Sequence, residues 1–125
     1  MFDKKTVLIT GGTGSLGQAL TARLLALNVG TIRIYSRNEN KQIEMETKFN
    51  DSRIRFFLGD IRDLDRLTRA MDNVDFVFHA AALKHVPKIE YNPFESIKTN
   101  VIGSQNVIDA CIASNVKKAI CVGTD

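Results

Sequence analysis

The chain has 125 residues, 44% of them hydrophobic and 25% charged, with a formal net charge of only +3. That is enough for one domain with a real core, in the composition range of soluble globular proteins. It carries no basic tract interleaved with aromatics, which argues against nucleic acid as a partner, and no apolar run near the roughly 18 residues of a membrane-spanning helix.

The polar opening Met1–Lys5 is too short for a signal peptide, so a cytoplasmic protein is expected. The first strand reads at Thr6–Thr10 and runs straight into Gly11-Gly12-Thr13-Gly14-Ser15-Leu16-Gly17. Gly11, Gly14 and Gly17 follow the spacing G-x-x-G-x-x-G. A turn this tight needs a residue that tolerates positive φ. A pyrophosphate resting on a helix N-terminus needs backbone without a Cβ in the way, and the helix end offers it unpaired N–H groups and partial positive charge. The order strand, glycines, helix makes the triplet informative; an ordinary strand–turn–helix junction is the competing reading. Leu16, Leu20, Leu24 and Leu27 then form an apolar stripe at helical spacing.

The second strand, Thr31–Ser36, leads into Arg37-Asn38-Glu39-Asn40-Lys41. NAD sites commonly place an acidic residue at this strand end to hold the ribose 2′-hydroxyl. Here stand Ser36 and Arg37, with Lys41 one helical turn on. A guanidinium can grip a 2′-phosphate in a forked geometry and stack on adenine, which points to NADP over NAD. The alternative is a solvated basic loop with Asn38 capping a charged helix over Asn38–Phe49. The third strand, Ile54–Leu58, ends in Gly59-Asp60-Ile61-Arg62-Asp63. Asp60 can accept from an adenine amino group while Ile61 lines the ring, and Asp63 is placed to cap a helix marked by Leu64, Leu67 and Met71.

The fourth strand reads at Val74–His79 and is followed by Ala80, Ala81 and Ala82, small residues that let backbone approach a flat ligand. Lys84 sits where a cation meets a phosphate or sugar oxygen, or is simply a loop lysine. His79 reads as a hydrogen-bonded strand-end residue, and His85 stays open. Neither histidine pairs with carboxylates at ligand spacing, so no metal is expected. In the fourth helix Asn92 can cap, Pro93 suits the first position and Glu95 can close a capping box. Its core stripe reads as Ile97, Val101, Ile108 and Ile112. Asn100 faces either sheet or solvent, and Gly103 permits close helix–strand contact. A last strand at Ala119–Val122 delivers Gly123, Thr124 and Asp125 to the same edge; Thr124 and Asp125 are either a catalytic hydroxyl–carboxylate pair or an ordinary strand end. Cys111 and Cys121 read as reduced core residues. Alternating strands and helices behind a glycine fingerprint predict an α/β Rossmann fold: a doubly wound parallel sheet of order 3-2-1-4-5, ending after strand five, with the ligand crevice where the order reverses.

Taken together, Thr10–Gly17, Ser36–Gln42, Gly59–Leu64, His79–Pro87 and Asn92–Asn106 resemble the extended short-chain dehydrogenase/reductases. Within them they are similar to the UDP-N-acetylglucosamine 4,6-dehydratases of bacterial surface-sugar synthesis, the inverting type among them, on the combination Ser-Arg-x-Glu-x-Lys-Gln, Ala-Ala-Ala-Leu-Lys-His-Val-Pro and Glu-Tyr-Asn-Pro-x-Glu. The resemblance spans the whole chain but only the N-terminal, cofactor-binding part of the family, without its substrate domain. It implies bound NADP and a UDP-sugar substrate, oxidised at C4, dehydrated across C5 and C6, and reduced at C6. A related nucleotide-sugar epimerase or a non-catalytic dinucleotide-binding fragment are the alternatives. By position, Gly12 to Gly17 would hold the pyrophosphate. Ser36, Arg37 and Lys41 would hold the 2′-phosphate, with Asn38 in the same loop. Asp60 and Ile61 would flank adenine, and Ala80 to Ala82 would line the cofactor. Lys84 would reach cofactor or substrate, Thr124 would supply the active-site hydroxyl, and Asp125 would protonate the leaving C6 oxygen. The family's Tyr-x-x-x-Lys acid/base pair does not occur in these residues, so the chain alone is expected to be inactive. An exposed edge at the last strand predicts self-association, and a homo-oligomer is expected of the full-length protein.

Overall fold

The computed structural model describes residues 1–80 and 93–121, with side chains left undescribed for 93–101 and 121. Five parallel strands, β1 (Thr6–Thr10), β2 (Thr31–Ser36), β3 (Ile54–Leu58), β4 (Phe76–His79) and β5 (Lys118–Cys121), form one sheet of order β3-β2-β1-β4-β5. Between them run α1 (Ser15–Ala26), α2 (Glu39–Phe49), α3 (Leu64–Ala70) and α4 (Pro93–Ala113). This is the expected Rossmann arrangement, and β1 and β4, side by side at its centre, bracket the reversal of strand order.

Strand alternation divides the core into two layers. Val7, Ile9, Ile32, Ile34 and Phe78 pack with Leu24 of α1 and Met45 of α2. Leu8, Tyr35 and Val77 point the other way, onto Leu67 and Ala70 of α3 and Val107, Ala110 and Cys111 of α4. Because both faces are covered, β1 reads as a continuous apolar run rather than an alternating one, whereas β2 is interrupted by Arg33.

Local signals explain most boundaries. The Asn38 side chain accepts from the Lys41 N–H and opens α2, and Asp63 does the same for Arg66 at the start of α3. Helix α4 begins at Pro93, as the sequence predicts; residue 92 lies outside the described residues.

Four expectations need correction. Strand β4 starts at Phe76, not Val74, because the Val74 N–H still bonds the Met71 carbonyl in the turn that closes α3. Strand β5 starts one residue earlier than expected, at Lys118, which pairs with Phe76. On α1 the buried face is Gly17, Thr21 and Leu24, while Leu27 caps the helix and is 44% exposed. On α4 the buried face is Gly103, Val107, Ala110 and Cys111, whereas Ile108 and Ile112 stand 47% and 71% exposed. Small residues, not the isoleucines, seat this helix on the sheet.

Candidate functional site

The glycine turn divides its work among its residues. Gly11 has φ 67°, the left-handed conformation that glycine tolerates best, and its N–H bonds the Tyr35 carbonyl, tying the turn to β2. At Gly17 an added Cβ would lie 2.4 Å from the Gly12 Cα, so α1 packs on the turn only because Gly17 has no side chain, while a Cβ at Gly12 would instead run into the Ile34 side chain. Gly14 is the N-cap of α1 and differs from both: the nearest atom to an added Cβ is the Gly11 carbonyl oxygen at 3.5 Å. It makes no side-chain cap hydrogen bond, and no acidic residue sits in the first turn of α1. The first-turn N–H groups of a helix have no partner within it, and the open space at Gly14 is where an anionic oxygen could reach them. Thr13 is buried and its carbonyl accepts from Gln18, which in turn accepts from Lys48 of α2.

Ser36 and Arg37 lie beside this turn at the tip of β2. The Arg37 side chain is 65% exposed and its guanidinium lies 3.6 Å from the Asp60 carboxylate. An open hollow of about 500 Å³ is lined by Arg37, Asn38, Glu39 and Asn40, and Lys41 is exposed one turn along α2. Ser36, by contrast, is buried, and its hydroxyl oxygen accepts from Gln42.

The loop after β3 is held from several sides. The Tyr35 hydroxyl donates to the Asp60 carbonyl at 2.7 Å, and the Asn106 amide donates to the Ile61 carbonyl at 2.9 Å. Gly103 admits the Ile61 side chain: a Cβ there would lie 2.3 Å from Ile61 Cδ1. The close approach expected at Gly103 is thus made to a loop side chain rather than to a strand. Both Asp60 oxygens accept from the Arg62 guanidinium, and these bonds hold its carboxyl down to about 2. Burial, followed by the nearby charge of Asp63, pushes the Tyr35 phenol up to about 12, so it is a strut and not an acid/base group.

At the end of β4, His79 is almost fully buried. Its Nδ1 shares a 2.6 Å hydrogen bond with the Thr10 hydroxyl, and its Nε2 lies 3.4 Å from the Ser104 hydroxyl of α4. Burial lowers its pKa, which favours the neutral ring. It pins β1, β4 and α4 together, the structural role its position suggests. Ala80 follows, with its N–H on the Thr10 carbonyl. Ala81, Ala82, Lys84, His85, Thr124 and Asp125 lie outside the described residues.

The structure thus brings Gly11–Gly17, Ser36, Arg37, Asp60, Ile61 and Ala80 to one end of the sheet. Asn38 is also there, although its side-chain oxygen is engaged in capping. Sequence reasoning assigned no role in the site to Tyr35, Gln42 or Asn106. Tyr35 and Gln42 sit in segments that could have been searched for buried polar groups, whereas Asn106 has no local signal, because its partner is 45 residues away.

A Rossmann fold, a doubly wound parallel sheet, is the class these features define. The sequence profile of a family described as "Polysaccharide biosynthesis protein" matches residues 7–125, and the chain belongs to that family. It is 58% identical over its whole length to a UDP-N-acetylglucosamine 4,6-dehydratase (inverting) of Campylobacter jejuni, spanning 38% of that protein. It is 48% identical to a UDP-glucose 4-epimerase of Rickettsia prowazekii, again over its whole length and 38% of the relative. Among solved structures it is similar to DesIV, a dTDP-glucose 4,6-dehydratase of Streptomyces venezuelae with NAD bound. That likeness has a TM-score of 0.79 at 27% identity, covering 91% of this chain and 38% of DesIV. The chain therefore spans little more than a third of the length of these proteins.

Proposed function

We propose that these residues are the cofactor-binding part of an NADP-dependent UDP-N-acetylglucosamine 4,6-dehydratase that acts in the cytoplasm in surface-polysaccharide synthesis. The dehydratase reading rests on the likeness to the Campylobacter protein; the cofactor reading rests on the site. The observation that carries the choice of NADP is the tip of β2, which ends in Ser36 and an exposed Arg37 instead of a carboxylate. The residues fit such a group: the helix N-terminus behind the open Gly14 suits a pyrophosphate, and the hollow beside Arg37 suits an adenosine ribose carrying a 2′-phosphate. When bound, the nicotinamide would take up and return a hydride, which is the redox chemistry a 4,6-dehydration needs. The chain's own share is positional. Gly11–Gly17 would seat the pyrophosphate, Arg37 and Lys41 would neutralise the 2′-phosphate, and the braced loop at Asp60 and Ile61 would receive adenine. Ala80, Ala81 and Ala82 would line the cofactor. Lys84 would reach cofactor or sugar, and Thr124 with Asp125 would serve the sugar's C4 and C6 oxygens.

Calorimetric titration with NADPH and NADH tests this reading. Tighter binding of NADPH is expected, with the preference lost in Arg37→Ala; equal or tighter binding of NADH would overturn the NADP assignment. Tyr-x-x-x-Lys does not occur in this sequence. These 125 residues alone should therefore bind cofactor without converting UDP-N-acetylglucosamine, and keto-sugar formed by the pure chain would sink that expectation. The likeness to a Rickettsia epimerase favours a second reading, a nucleotide-sugar 4-epimerase. Product analysis of the full-length protein, 4-keto-6-deoxy sugar against the C4 epimer, separates the two.

A further inference from the structure

Ser36 and Gln42 make a buried pair whose hydrogen-bond polarity is determined by backbone. Both residues are 8% exposed. The Gln42 side-chain nitrogen lies 2.9 Å from the Ser36 hydroxyl oxygen, 3.0 Å from the Phe57 carbonyl and 3.4 Å from the Ser36 carbonyl. Two of these neighbours are carbonyl oxygens, which only accept. The group facing them must be the amide NH₂ and not its oxygen, so the orientation of this amide is dictated by its surroundings. The NH₂ has two hydrogens, and the two shortest contacts take them: one to Phe57 and one to the Ser36 hydroxyl. An amide NH₂ accepts nothing. The Ser36 proton is therefore turned away from Gln42, and among the described residues no acceptor is recorded for it. The Ser36 carbonyl is itself occupied by the Gly59 N–H at 2.9 Å.

We propose that Gln42 is a specificity-determining positioning residue: it orients the Ser36 hydroxyl as a hydrogen-bond donor toward the ligand crevice, and so favours a 2′-phosphate over a 2′-hydroxyl. This deepens the cofactor reading above and rests on it. A phosphate oxygen is a pure acceptor and takes the offered proton. A ribose 2′-hydroxyl is best held by a strong acceptor such as a carboxylate, and a serine whose oxygen already accepts from an amide is a poor substitute. Gln42 touches no ligand in this arrangement. It acts through Ser36, while Arg37 supplies the charge.

The test uses adenosine 2′,5′-bisphosphate and adenosine 5′-monophosphate, which differ only in the 2′-phosphate, titrated calorimetrically into the full chain. The readout is the ratio of their affinities, which needs neither nicotinamide nor turnover. Gln42→Met, of similar volume without a donor, should lower the ratio about fivefold, the worth of one hydrogen bond. Ser36→Ala should lower it equally, and adding Gln42→Met to Ser36→Ala should lower it no further, because the first change has already removed the group through which the second acts. Should Gln42→Met fail to fold, Gln42→Asn, an amide one methylene too short to reach Ser36, should lower the ratio in the same way. An unchanged ratio with both ligands weakened alike would mean that Gln42 merely braces β2 and β3, and would overturn the proposal. So would independent, multiplying losses in the double variant. If the unaltered chain shows no preference between the two ligands, the NADP reading fails as well; if it does and Arg37→Ala abolishes the preference while Gln42→Met keeps it, only the role of Gln42 falls.

Discussion

Gly14 and Gly17 occupy the same motif yet should respond oppositely to one methyl group. Gly17→Ala drives a Cβ into the Gly12 backbone and should cost about 1–3 kcal/mol, read as a lowered urea midpoint. Gly14→Ala meets nothing closer than 3.5 Å and should cost about 1 kcal/mol or less as an N-cap change, while weakening NADPH binding because the methyl group stands where the ligand is proposed to lie. His79 gives a pH signature. Its folded pKa lies below the ordinary value of 6.5, so as acid is added the unfolded chain takes up a proton that the folded chain refuses. Its share of stability is complete above 6.5 and declines as the pH falls below that value toward the folded pKa. Asp60, and Asp51 whose carboxylate accepts from the Arg53 guanidinium, are both held near 2 and lose their share in a separate window, from about 3.8 down to about 2. In a pH series of denaturation midpoints, replacing His79 with Asn should flatten the slope just below pH 6.5 and leave the more acidic one. The glycine spacing and the strand-end positions of Ser36, Arg37 and Asp60 were legible in the sequence because each follows a short apolar run. The direction of the Ser36 hydroxyl was not, because it depends on a carbonyl of β3 that approaches only after the sheet forms.

Helix α4 shows why helical spacing alone misleads. Ile97, Val101, Ile108 and Ile112 are the largest apolar residues on one reading of its period, yet Ile108 and Ile112 face outward. The side that meets the sheet carries Gly103, Val107, Ala110 and Cys111, where small volumes let the helix settle against α3, the Ile61 loop and the Leu8–Tyr35–Val77 layer. An apolar pattern on two faces records only that one of them is buried; the available depth selects which. Chemical denaturation checks this directly. Val107→Ala should cost about 2 kcal/mol by leaving a cavity. Ile108→Ala, at a half-exposed site, should change stability by about 0.5 kcal/mol or less. The boundary of β4 has a similar origin: Val74 and Asp75 look like strand by composition, but Val74 is claimed by the turn after α3, and the Asp75 carboxylate accepts from the Thr6 N–H.

For the whole molecule, large apolar residues are exposed on several elements, among the described residues Leu27, Ile43, Leu58 and Leu64 as well as a group on α4 and β5. Ile102, Ile108 and Ile112 are exposed on α4, and Ile120 is 38% exposed on β5, the last strand of the sheet. The isolated chain is expected to self-associate, and light scattering coupled to size-exclusion chromatography checks it; a monodisperse monomer would count against the expectation, while Ile108→Lys with Ile112→Lys should shift the population toward monomer. The order of strands and helices and the parallel sheet 3-2-1-4-5 were determined by the sequence alone. Those features rest on local signals: short apolar runs, caps at Asn38 and Asp63, and glycines at a strand–helix junction, all of which act within a few residues. What only the tertiary structure decided is the set of contacts made across the fold. Asn106 reaches the Ile61 carbonyl, Tyr35 reaches the Asp60 carbonyl, His79 joins Thr10 to Ser104, and Gln42 of α2 reaches the Phe57 carbonyl of β3. Each is a hydrogen bond between groups 15 to 69 residues apart or a side chain turned by one, and no local pattern encodes a partner that is brought near only by the closing of the sheet.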